Sequence, residues 1–186
     1  YLADNISADK GCLPMNGKID DALRCNQLFA ITLGVIDNKE LNEHILVSCE
    51  KLLVPGAIRS LANQQVKHSE KIYHDTTLFS SANNPYKGKY SGDEDTKRKP
   101  AYHNGTAWTW PFPSYIEALL ICYKKEAKNK SLALLNSSFN LFENRCLGHL
   151  PEILDGDSPH TQKGCYAQSW GASEFLRIFK LLKKIK

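Results

Sequence analysis

Three acids lie close together in Leu150-Pro151-Glu152-Ile153-Leu154-Asp155-Gly156-Asp157, and Gly164-Cys165-Tyr166-Ala167-Gln168-Ser169-Trp170 follows soon after. Carboxyl groups at this density suit acid–base chemistry. Such chemistry often takes two of them: one donates a proton, and the other takes one or attacks carbon. Glu152 follows Pro151, whose ring fixes the backbone before it, and stands just past an apolar helical pattern. Asp155-Gly156-Asp157 reads equally as a turn. The residues alone do not choose among Glu152, Asp155 and Asp157. The plain alternative is a surface loop whose acids are merely solvated.

A second stretch, Tyr102-His103-Asn104-Gly105-Thr106-Ala107-Trp108-Thr109-Trp110, holds both kinds of group that a sugar needs. Aromatic rings stack on C–H faces. Amides, histidine and arginine bind hydroxyls in pairs. The alternative for Trp108 and Trp110 is core packing, and one of the two is expected to serve that purpose. Asn26 and Gln27 open an apolar helical pattern, where amides need partners. The six cysteines (Cys12, Cys25, Cys49, Cys122, Cys146 and Cys165) form no C-x-x-C pair and no zinc spacing. No His/Asp/Glu cluster stands at ligand spacing, so neither a metal nor another cofactor is expected.

The elements that must position these groups read as helices. A chain of 186 residues is one domain or part of a larger one, taken here as the single segment 1–186. Its 42% hydrophobic content is ordinary for a globular protein. The net charge of +4 owes much to Lys183-Lys184-Ile185-Lys186 and forms no basic stripe, so nucleic acid is not an expected partner. No apolar run is long enough to span a bilayer, and no membrane partner is expected. Several cysteines fall in apolar helical patterns, where they behave as small hydrophobes. They are read as free thiols in a reducing cytoplasm.

In chain order, Tyr1 to Ala22 reads as loop, with turn formers at Gly11, Pro14, Asn16-Gly17 and Asp20-Asp21. Asn26 to Ile36 predicts a helix apolar nearly all round, hence buried on more than one side. Asp37 or Asn38 caps a second helix, Lys39 to Leu53. About two residues join this pair into an antiparallel hairpin. Ala57 to Pro100 shows no helical period, and Asn63 to Ser81 has the character of an insertion. Further helices are predicted from Pro113 or Ser114 to Lys125, from Leu132 to Cys146, and from Ser169 to Ile185. Ser169 or Ser173 would cap the last. No strand-period segment exceeds a few residues, so the expected class is all-α: helical hairpins linked by long loops.

Five stretches in order resemble the end of the catalytic domain of glycogen debranching enzymes of the amylo-α-1,6-glucosidase type. They are Arg24-Cys25-Asn26-Gln27-Leu28-Phe29-Ala30; Arg59-Ser60-Leu61; Tyr86 to Asp93, within Asn83 to Lys99; Tyr102 to Trp110; and the 150–170 region. The resemblance implies roughly the second half of an (α/α)6 barrel. It assigns the general base of an inverting mechanism to Glu152, and substrate contacts to Asn26, Gln27, Arg59, His103, Trp108, Asp155 and Gln168. The implied substrate is a branched α-glucan, glycogen or a limit dextrin. Three positions depart from the family form: Cys25 replaces a proline, and Asn104 and Thr109 stand where the family has glutamine and proline. The family's acid lies in a "T-W-M-D"-like motif that this sequence lacks. Tyr1-Leu2-Ala3-Asp4 resembles a mid-domain segment. The expectation is therefore a C-terminal fragment, inactive alone, whose partner is the missing N-terminal half of the barrel. Two other classes stay open: a trehalase- or glucoamylase-like (α/α)6-barrel glycosidase, and a non-catalytic carbohydrate-binding helical module.

Overall fold

The computed structural model describes residues 2, 4–5, 19–66, 72–74, 77–80 and 84–185. Two short strands, β1 (Asp4–Asn5) and β2 (Ile19–Asp20), pair antiparallel near the start. A 3₁₀ turn over Cys25–Gln27 leads into α1 (Leu28–Thr32), and α2 (Lys39–Glu50) follows. Then come β3 (Leu53–Val54), β4 (Ala57–Arg59), and the hairpin of β5 (Ile72–His74) with β6 (Thr77–Ser80). A π-helical turn over Glu94–Arg98 runs into α3 (Lys99–Tyr102), and β7 (Ala107–Trp108) follows. The remaining elements are α4 (Phe112–Tyr123), α5 (Lys128–Asn136), α6 (Phe139–Phe142), β8 (Ile153–Leu154), β9 (Gln162–Lys163) and α7 (Ser169–Lys184).

Helix α4 is the centre of the core. Its sequence is apolar on almost every side, and such a helix must be covered all round. Phe112, Tyr115, Ile116, Ala118 and Leu119 are all buried. Pro113 sits in the first turn, where its missing N–H leaves no hydrogen bond broken. Helices α1, α2, α5 and α7 pack around it. Helix α2 contributes Ile45, Leu46 and Cys49; α7 contributes Ile178 and Leu182. Asn38 caps α2 by accepting from the Leu41 N–H at 2.9 Å. Asp37, the other predicted cap, does not take that position. Helix α7 begins after Gln168 without a side-chain cap, and Ser173 Oγ instead donates to the Trp170 carbonyl.

The all-α class, and with it the second half of an (α/α)6 barrel built from helical hairpins with long loops, is overturned by a five-stranded antiparallel sheet. Its order is β3-β4-β7-β8-β9. Ile58 faces Trp108, Trp108 faces Ile153, and Ile153 faces Lys163. In the adjacent register Arg59 faces Ala107, Ala107 faces Leu154, and Leu154 faces Gln162. Ala107 and Leu154 pack with Leu141 of α6 and Leu150 in a second small core. Each strand is two or three residues long, too short to display the alternation that marks a strand in sequence. The apolar Leu52, Leu53 and Val54 extend the pattern of α2, yet the helix stops at Glu50 and the chain turns into β3.

Helix limits shift for similar reasons. The predicted helix over Asn26 to Ile36 ends at Thr32, because Gly34 takes a left-handed φ of 68°. Leu33 and Val35 are then 75% and 74% exposed rather than buried, and residues 33–38 make a longer connection than two residues. The predicted helix from Leu132 to Cys146 is two helices, α5 and α6, parted at Ser137 and Ser138. Of the suspected insertion Asn63 to Ser81, residues 67–71, 75–76 and 81 lie outside the described residues, as do Tyr1 and Cys12. Cys25, Cys49, Cys122, Cys146 and Cys165 are free thiols. Burial pushes Cys25 and Cys49 up to about 12. No helix among the described residues is long and apolar enough to cross a membrane.

The packing gives a direct contrast. Ile116→Ala, at the centre of α4, should cost about 2–5 kcal/mol. Val35→Ser, in the exposed connection, should stay within about 0.5 kcal/mol. Denaturant unfolding of both variants checks this, and a costly Val35→Ser would mean that the connection is packed.

Candidate active site

Glu152 stands immediately before β8, and the β8–β9 hairpin decides where its side chain goes. The Glu152 N–H donates to the Cys165 carbonyl at 2.8 Å. In return the Cys165 N–H donates to Glu152 Oε2 at 2.9 Å. The chain can close this tightly only because residue 164 is glycine. Its φ is 66°, and a Cβ there would come within 2.4 Å of Oε2. From the opposite side the Tyr102 hydroxyl, at the end of α3, donates to Glu152 Oε1. Both oxygens are thus held by donors from different segments. Each keeps a second lone pair for water or a substrate hydroxyl.

Aromatic rings gather around that contact. Tyr102 lies 5.5 Å from Tyr90 and meets Trp108 and His103 edge-on at 4.6 and 4.8 Å. His103 and Trp108 stack at 5.1 Å, 7° from parallel. Trp108 is buried, and its indole N–H donates to the Tyr102 carbonyl at 3.0 Å. Of the two tryptophans of this motif, Trp108 is therefore the packed one. Burial first, and the Glu152 hydrogen bond second, raise the Tyr102 hydroxyl above its ordinary pKa, so it remains a donor. His103 is open to solvent on one side and covered by Trp108 on the other. Desolvation of the covered side, then the nearby Arg24 charge, lower its pKa, and Glu152 opposes them.

The other two acids of the loop belong to a neighbouring junction. Asp155 Oδ1 accepts from the Tyr90 N–H at 2.8 Å, and Lys163 lies 3.9 Å from Oδ2. Asp157 Oδ1 accepts from the Tyr86 hydroxyl at 2.8 Å. Burial, then this hydrogen bond, raise the Tyr86 pKa. Arg59, at the end of β4, donates from Nε to the Gly156 carbonyl at 2.8 Å and from a terminal nitrogen to the Lys51 carbonyl at 3.2 Å. Backbones meet here without side chains between them. The Gly156 N–H donates to the Gly88 carbonyl at 2.6 Å. A Cβ on Gly156 would lie 1.9 Å from the Gly105 carbonyl oxygen, and one on Gly105 would lie 2.5 Å from that of Lys87.

Of the residues singled out in the sequence, Glu152, His103 and Trp108 meet around Tyr102, and Arg59 and Asp155 meet at the glycine junction. Asn26 is exposed beside the Cys25 thiol. Both ends of the Gln27 amide are engaged, with the Arg24 carbonyl and the Leu2 N–H. Gln168 donates its backbone N–H to Leu150, and its Oε1 is buried without a partner among the described residues. Trp110 stacks between Phe29 at 5.6 Å and Trp170 at 4.0 Å, apart from the Tyr102 group. Sequence reasoning missed Tyr102, Tyr90, Tyr86 and Arg24 as parts of the site. Arg24 donates to the His103 carbonyl at 2.9 Å and to Asn104 Oδ1 at 3.1 Å, while Asn104 Nδ2 holds the Pro100 carbonyl. The Asn104 amide therefore ties the loop together. Tyrosines spaced between glycines, at Tyr86-Lys87-Gly88-Lys89-Tyr90, were the available signal. No group of three or more metal-ligating side chains occurs among the described residues.

Two measurements follow from this geometry. Gly156→Ala should destabilise by about 1–3 kcal/mol or more, because the clash is with backbone. Gly148→Ala has open space around it and a φ of 77°, so it should cost only about 1 kcal/mol. For His103, a depressed folded-state pKa means that the unfolded chain binds the proton more tightly. Its contribution is then present above the unfolded value, near 6.5, and is lost as pH falls through the folded one. Unfolding free energies at pH 7.5 and 5 should show a smaller drop for His103→Asn than for the unsubstituted chain.

A search of curated proteins finds no match to this chain. The family model described as amylo-alpha-1,6-glucosidase matches residues 4–177, which takes in β1, the sheet, Tyr102, Glu152 and most of α7. The chain is therefore a member of the amylo-α-1,6-glucosidase family, a glycosidase domain related to debranching enzymes.

Proposed function

We propose that this domain hydrolyses α-1,6-glucosidic branch linkages in glycogen or limit dextrins, with Glu152 as the general base of an inverting reaction. The observation that carries the reading is the Glu152 carboxylate, held at both oxygens by Tyr102 and the Cys165 N–H beside a group of aromatic rings. In such a reaction Glu152 takes a proton from water. The water oxygen bonds to the anomeric carbon as the glycosidic C–O bond breaks, and a second carboxyl group protonates the departing oxygen. A base set in place before the reaction does not have to be reoriented during it.

The second carboxyl group is a different matter. Asp155 and Asp157 already accept hydrogen bonds from Tyr90 and Tyr86 and shape the loop. The reading assigns the proton donor to a carboxyl outside the 150–157 loop. His103, backed by Trp108, offers one ring edge to a sugar hydroxyl, and Trp108 acts through it. Gln168 Oε1 keeps an unmatched acceptor, Asn26 an exposed amide. Arg59 and Asp155 act by holding the Gly156 carbonyl and the Tyr90 N–H in place. The free thiols support a reducing, cytoplasmic setting.

Glucose release from 6-O-α-glucosyl cyclodextrin by the full-length gene product tests the assignment. Glu152→Gln should lower kcat by about 10²–10⁴-fold, the usual contribution of a general base. Tyr102→Phe should lower it by about tenfold with little change in KM, because it loosens the carboxylate without removing it. Undiminished turnover in Glu152→Gln would sink the proposal. Retained glucan binding with no hydrolysis by the unsubstituted enzyme would favour a carbohydrate-binding role.

A further inference from the structure

A surface cavity of about 370 Å³ opens behind the loop that joins β8 to β9. It is not the site described above: Glu152, Tyr102 and His103 do not line it. Its walls come from α6 and the turn after it, from Pro55, and from residues 159–162. No acidic residue lines it, and its two ionisable residues are Arg145 and His160. Both hold left-handed backbones, with φ of 60° and 59°. Non-glycine residues adopt this conformation at a cost, and such strain clusters at ligand sites. Lys124 is the one other non-glycine residue with positive φ among the described residues, so two of these conformations meet at one cavity.

The chemistry of the lining is divided. The Arg145 guanidinium lies over the Tyr166 ring, 4.8 Å from its centre. A guanidinium held over a ring face can still offer its N–H groups to a bidentate anion such as phosphate. His160 Nδ1 lies 3.1 Å from the Asp155 carbonyl oxygen. A carbonyl only accepts, so Nδ1 carries the proton and Nε2 is left to accept from a hydroxyl. Asn140 and Thr161 add further hydroxyl-binding groups, and Leu141 and Leu154 give an apolar wall for C–H faces. The volume lies within the range of small-ligand pockets.

We propose that this cavity binds a phosphorylated monosaccharide, with Arg145 on the phosphate and His160, Asn140 and Thr161 on the sugar hydroxyls. This site is independent of the hydrolytic reading.

Calorimetric titration of the full-length protein with glucose 6-phosphate, inorganic phosphate and maltose tests it. Glucose 6-phosphate should bind saturably, inorganic phosphate more weakly, and maltose not at this site. Arg145→Gly relieves the left-handed strain while removing the charge, so it should fold normally. It should weaken both phosphate ligands by at least about tenfold, the usual scale for a lost charge-assisted hydrogen bond. His160→Ala should weaken glucose 6-phosphate and leave inorganic phosphate nearly unchanged. No saturable binding of glucose 6-phosphate up to about 10 mM would overturn the proposal, 10 mM lying beyond ordinary weak affinities. So would equal binding of the phosphate ester to Arg145→Gly, and so would maltose binding that His160→Ala weakens as much as it weakens the phosphate ester.

Discussion

Everything near Glu152 depends on three backbones that approach one another with no side chain between them. Gly88, Gly105 and Gly156 come from the Tyr-rich loop, the turn before β7, and the turn after β8. The Gly156 N–H reaches the Gly88 carbonyl, and the Gly105 carbonyl occupies the place where a Cβ of Gly156 would stand. Buried peptide groups must find partners, and here they find one another. Arg59 caps the junction through the Gly156 carbonyl, and Asp157 fastens it through Tyr86. The two aspartates of the loop thus serve as anchors, which leaves Glu152 as the acid that meets the aromatic group, through Oε1 and the Tyr102 hydroxyl.

The sheet and the helical core divide the work. Helix α4, covered by α1, α2, α5 and α7, is the centre of the largest apolar cluster among the described residues. The sheet buries less but sets the register. A shift by one residue between β7 and β8 would turn Trp108 and Ile153 to the opposite face and carry Glu152 away from Tyr102. Thr109 guards that register, with its hydroxyl on the Pro151 carbonyl at 2.7 Å and its N–H on the Glu152 carbonyl at 3.3 Å. Thr109 therefore does structural service in this chain.

What was legible in the sequence was local. The helical periods of α2, α4 and α7 stand out because an amphipathic or wholly apolar pattern lasts over a dozen residues in each. Glu152 and the Tyr102–Trp110 motif were legible as a family resemblance. Their meeting was not, because the contact joins residues 102, 152 and 165 through strands of two residues. The end of α1 was misread because Leu33, Val35 and Ile36 continue an apolar pattern past Gly34, and tertiary structure leaves the first two exposed. Arg24 was passed over because its partners, the His103 carbonyl and Asn104, lie far along the chain.

The strand order also bears on synthesis. Strands β4 and β7 are made well before β8, which pairs with β7. Until residues 153–154 emerge, β7 presents an open edge of unpaired peptide groups, the kind that recruits other chains. Its residues there, Ala107 and Trp108, carry no charge to discourage such pairing. Pairings this distant in sequence are slow to close. The growing chain therefore carries the open edge of β7 before β8 is made to cover it, and the carboxylate gains both its partners only after residue 165 leaves the ribosome.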